Sequence, residues 1–83
     1  MLQQNDRIST LGLEPQYSEY FKERFQQCGL QFVEYGEPAD YVICGLHADV
    51  WDVDKDKYLN AYVIDQAVFE VLFNVYAQQN DLP

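Results

Sequence analysis

The sequence predicts a small α+β domain: a two-layer sandwich of about four strands with two helices, 15–28 and 66–78, on one face. Three observations carry that expectation. At 83 residues the chain is long enough for one domain and too short for two. Hydrophobic residues make up 48% of it and aromatics 16%, far more than an acidic disordered tail contains. Two stretches repeat apolar residues at helical spacing, while other short runs are rich in β-branched and aromatic residues and end in turn residues.

The domain is expected to span 1–83, with 1–6 and 79–83 frayed. Residues 7–13 read as a strand. Pro15 then marks a first helical turn, with Glu14 just before it near the positive helix end. Tyr17, Phe21, Phe25 and Cys28 fall on one face of the helix 15–28, and Gly29 supplies a left-handed exit. Residues 30–35 form a β-prone run closed by Gly36, Glu37 and Pro38.

Residues 39–46 are almost continuously apolar around Tyr41, Val42 and Ile43, as a central strand buried on both faces must be. A related tripeptide returns at Tyr62, Val63 and Ile64, where a strand is favoured over one long helix through 56–78 because Tyr-Val-Ile nucleates a helix poorly. Asp65 is placed to cap the second helix, with Val68, Val71, Leu72 and Val75 as its core positions and Phe69, Phe73 and Tyr76 broadening the stripe. A doubly wound parallel sheet is the alternative, disfavoured because 46–60 barely reaches the ~10–12 residues of a helical crossover. A hairpin-like excursion at 47–60 is expected instead.

Charge excludes several functions. The chain holds 14 acids and five cations, a net charge of −9, which leaves no Lys/Arg stripe to track a nucleic-acid backbone. No window holds the ~18 consecutive apolar residues of a membrane span, and the polar start is unlike a secretory signal. A cytoplasmic protein is therefore expected, without membrane contact or direct nucleic-acid binding. Cys28 and Cys44 lack C-x-x-C or Cys/His metal spacing and read as free thiols, a single disulfide being the reading for an exported chain.

The acids are unevenly placed. Residues 1–29 hold four acids and three cations, a net of −1, whereas 30–83 hold ten acids and two lysines, a net of −8. The densest stretch is 47–57, with Asp49, Asp52, Asp54 and Asp56. Asp52, Asp54 and Asp56 match the opening of a calcium loop, but Lys57 stands where the sharp turn needs Gly and Val63 where a bidentate Glu is needed. No metal and no cofactor is expected. In an extended segment these carboxylates would line one side ~6.6 Å apart, repelling one another. Trp51 and Tyr58 interleave with them, and Tyr35 and Tyr41 flank the acidic turn containing Glu37 and Asp40.

Rigid rings among like charges suit a docking surface, the rings supplying contact area and the acids steering. Asp49, Trp51, Asp52, Asp54, Asp56, Tyr58, Glu37 and Asp40 are accordingly the expected partner-binding residues. Catalysis has little support: His47 is the only histidine, and the carboxylates lie in hydrophilic sequence without an apolar pocket to raise a pKa. The function expected is an acidic inhibitor module that docks on a basic, nucleic-acid-binding surface of a partner enzyme. DNA mimics, anti-restriction, anti-CRISPR and immunity proteins of phages and mobile elements share this size and charge. The alternative is a regulatory or assembly subunit that uses the apolar face of its C-terminal helix, leaving Phe69, Phe73 or Tyr76 for a homodimer or partner.

Overall fold

A computed structural model of the chain describes residues 2–80. Its elements are β1 (Arg7–Leu11), α1 (Pro15–Gln27), β2 (Gln31–Phe32), β3 (Tyr41–Cys44), a 3-10 turn (Ala48–Val50), β4 (Tyr62–Asp65) and α2 (Gln66–Gln79). The α+β class, the four strands and the two helices on one face are as the sequence predicts.

Strand direction is not. All pairings are parallel, in the order β2-β1-β3-β4, so the hairpin-like excursion is a crossover. It needs no long helix, because Val53 and Tyr58 plug into the sheet against Val42 and Cys44 and hold the coil down. The β1–α1–β2 and β3–β4 connections move in opposite directions across the sheet and lie on opposite faces. They therefore share one hand, as the rule for parallel crossovers requires.

β3 is buried throughout, as its near-continuous apolar sequence demands. Tyr41 and Ile43 point to the helical face, Val42 and Cys44 to the coil face. On the helical face, rings of Phe21 and Phe25 from α1 meet Phe69 and Phe73 from α2, with Tyr41 edge-on to Phe69. Tyr76 donates its hydroxyl to the Cys28 carbonyl at 2.7 Å, tying the end of α2 to the end of α1. Gly29 exits α1 at φ 76°, and the Leu30 N–H closes back on the Phe25 carbonyl. Both cysteines are buried free thiols, and burial pushes the Cys44 thiol up.

Three further expectations are corrected. On α2 the aromatics are the core: Phe69, Phe73 and Tyr76 are buried, while Val68, Val71 and Val75 are exposed. The layer between two helices and a sheet needs ring-sized volume, and valines cannot fill it. Phe69, Phe73 and Tyr76 are thus not left over for a partner. Asp65 occupies the N-cap position, but its side chain does not cap the helix; it accepts the Ala48 N–H instead. Residues 2–6 are not frayed, since Leu2 is buried in the core and the Asn5 N–H bonds the Gly29 carbonyl. At the other end Gln79 closes α2 and the Asn80 side chain bonds the Tyr76 carbonyl; Met1 and residues 81–83 lie outside the described residues.

Candidate functional site

In a parallel sheet the ligand crevice lies beyond the strand ends where the winding reverses, here between β1 and β3. Two glycines bring the chains together there. A Cβ on Gly45 would stand 2.1 Å from the Gly12 carbonyl oxygen. The chain fills this crevice itself. The Trp51 indole donates to the Gly45 carbonyl at 2.7 Å, and its ring lies so close over Gly12 that a Cβ there would be 2.0 Å from it. Trp51 is half-buried and serves as a plug.

The plug sets the path of the chain on either side of it. Leu46 takes a left-handed φ of 59° and turns the chain outward, with its side chain in solvent. The 3-10 turn then runs past β4, where the Asp65 carboxylate takes the Ala48 N–H and lies 3.9 Å from His47. Val53 returns to the sheet. Asp54 caps the next turn, its Oδ1 accepting the N–H groups of Asp56 and Lys57 at 3.1 and 3.2 Å. Tyr58 then dives under, its hydroxyl accepting the Gly36 N–H and its ring against Tyr35.

Between the plug and the second anchor lies an open groove of about 690 Å³, lined by Trp51, Val53, Tyr58 and Val63 and rimmed by Asp49, Val50, Asp52, Lys55 and Leu59. Val50 and Leu59 are 62% and 78% exposed, and Asp49 and Asp52 stand beside them in solvent. A second concavity, about 470 Å³ between α1 and α2, is lined by Tyr17, Tyr20, Phe21 and Phe73 with Gln16, Asn74 and one acid, Glu70. The coil-face groove is larger and pairs acids with exposed apolar side chains.

The expected binding residues therefore divide. Asp49, Trp51, Asp52 and Tyr58 gather at the groove, with Trp51 and Tyr58 as its wall and floor. Tyr58 is buried, so it is an anchor and not an exposed contact. Asp54 serves its own turn, and Asp56 faces another hollow with Arg7 and Lys57. The extended row of three acids does not form, because 54–57 is a turn. Glu37 is exposed on the β2–β3 connection and does not line the groove. Asp40 is structural: its carboxylate accepts the Arg7 N–H at 2.8 Å and faces the guanidinium at 3.3 Å. These bonds hold the Asp40 carboxyl below the usual carboxylate range.

Among the described residues, no three His, Cys, Asp or Glu side chains converge as metal ligands would, and no helix is long and apolar enough to cross a membrane. Sequence reasoning missed Val50 and Leu59. Their signal was an apolar residue beside each aromatic of the acidic stretch, at 50–51 and 58–59. Comparison of the chain with protein-family models, with curated proteins and with solved structures finds no match.

Proposed function

We propose that this chain is a protein-binding module whose coil-face groove docks on a basic surface of a partner. One observation carries the reading: exposed Val50 and Leu59 share a concave rim with the exposed carboxylates of Asp49 and Asp52. Exposed apolar side chains are commonplace singly, but gathered on a concave rim they supply the contact area a partner can bury. The acids set the partner's sign. With a net charge of −9, the whole chain steers positive surfaces towards it. A nucleic-acid-binding groove of an enzyme is the class of basic surface that fits, and a chain seated there blocks it. The function is then inhibition by occupancy.

The test uses a peptide of interspersed Arg and Leu, with an Arg-only peptide and an Asp/Leu peptide as controls, titrated by amide-resolved NMR. The Arg/Leu peptide is expected to shift amides in 49–59, and its affinity to fall steeply with added salt. The joint Asp49→Asn and Asp52→Asn change should weaken it roughly tenfold, the size expected for two partly exposed charge contacts. Binding that ignores salt, or shifts confined to the helices, would refute the reading.

A further inference from the structure

The flank of α2 that faces away from α1 is uncharged and apolar, in a chain of net charge −9. Along α2, Glu70, Phe73 and Asn74 face α1 across the hollow they share with Tyr17 and Tyr20. Val68, Val71 and Val75 project to the other side at helical spacing, 49%, 63% and 39% exposed, with half-buried Leu72 among them. Valine is a poor choice for a solvated helix, where its stiff side chain lowers helix propensity and Lys, Glu or Gln do better. Glu70, on the α1 side, is the only charged residue in α2.

Beside this flank runs β4, an edge of the sheet. The Tyr62 N–H bonds the Asp40 carbonyl, so Tyr62 and Ile64 direct their backbone groups towards β3. Alternation along the strand turns the N–H and C=O of Val63 outward, unused by the sheet. Tyr62 and Ile64 lie on the helical face, level with α2, and Tyr62 is exposed. The one acid of β4, Asp65, is engaged by the Ala48 N–H.

We propose that two copies of this chain associate through the β4 edge and the valine flank of α2. Val68, Val71, Leu72 and Val75 offer a basic partner no carboxylate to pair with, and Asp6 and Asp40 line a separate hollow with Tyr62 at the start of β4. A second copy offers the same uncharged helix flank, so two chains of net charge −9 bring these valines together without setting carboxylates of α2 against each other there. The geometry is self-complementary. Two β4 strands related by a two-fold axis run antiparallel, and centring the axis on Val63 lets the two Val63 residues exchange both N–H···O=C bonds. Tyr62 of one copy then stands opposite Ile64 of the other on the helical face, where the two valine flanks close over them. The sheets join into one, and the exposed edge disappears.

This association and docking at the coil-face groove respond oppositely to salt. Sedimentation equilibrium from about 10 μM to about 1 mM, the range of a small interface, should show a dimer that strengthens as salt screens the repulsion between acidic chains. Val71→Lys, which favours the helix but buries a charge in the interface, should weaken the dimer at least tenfold with unchanged far-UV circular dichroism. The Val63 amide should exchange with solvent more slowly as the dimer forms. The joint Asp49→Asn and Asp52→Asn change should leave the dimer intact. A monomer across the whole range overturns the proposal. So does a dimer that survives Val71→Lys, or a Val63 amide that exchanges equally fast in monomer and dimer.

Discussion

The two faces of the sheet are closed by different means. On the helical face, Phe21, Phe25, Phe69 and Phe73 pack as rings against Tyr41 and Ile43, and regular hydrogen bonding satisfies the backbone above them. On the coil face, Val53 and Tyr58 are the buried anchors, Trp51 is wedged at the rim, and single hydrogen bonds hold the intervening chain. One face is built for burial and the other for display. The difference teaches that a stable aromatic layer frees the opposite face to carry acids and exposed apolar residues at little risk to the fold. Local opening is expected to start on the coil face, where the cover is thinnest.

Changes that break one face and spare the other test this contrast. Phe69→Ala removes a ring that touches Phe21, Phe25, Phe73 and Tyr41, and should lower global stability by about 3–5 kcal/mol in denaturant unfolding. Gly45→Ala drives a Cβ into the Gly12 carbonyl, a backbone group that must move. It should cost about 1–3 kcal/mol and disturb both strand ends, seen as shifted amides at Leu11 and Gly45. Tyr58→Phe keeps the anchor but leaves the Gly36 N–H without its acceptor, for about 1 kcal/mol and faster exchange at that amide alone.

The smallest expected effect is at Asp40. Its carboxyl is held low by Arg7, so its contribution is present above the unfolded carboxylate value and is lost as pH falls through the lowered folded value. Asp40→Asn should therefore cost less than about 1 kcal/mol at neutral pH, because the pair is substantially solvent-exposed. It should also flatten the decline in stability below about pH 4, measured by thermal unfolding across pH.

Much of this contrast was legible in the sequence, and the rest failed for identifiable reasons. The spacing of Tyr17, Phe21, Phe25 and Cys28, closed by Gly29, defined α1 without help from tertiary contacts. In α2, seven of the nine positions 68–76 are apolar, so periodicity had no polar face to orient it; ring volume then selected the aromatics for the core. Strand direction was hidden because Val53 and Tyr58 let irregular chain serve as a crossover, and two anchors among acids look like a surface loop. The acids were found where the sequence concentrates them. Their grouping was not, since Asp54 turned inward to its own turn and Asp40 towards Arg7.

The indole of Trp51 gives this molecule a built-in optical reporter. It is the chain's only tryptophan, and it is held at the groove wall by its bond to Gly45 and its contact with Gly12. Its emission therefore reads the coil face, while far-ultraviolet dichroism reads the two helices of the opposite face. A red shift that precedes loss of the helical signal on heating would record the coil cover lifting while the helical face stays intact. A ligand that settles in the groove without unfolding anything should move the emission and leave the dichroism unchanged.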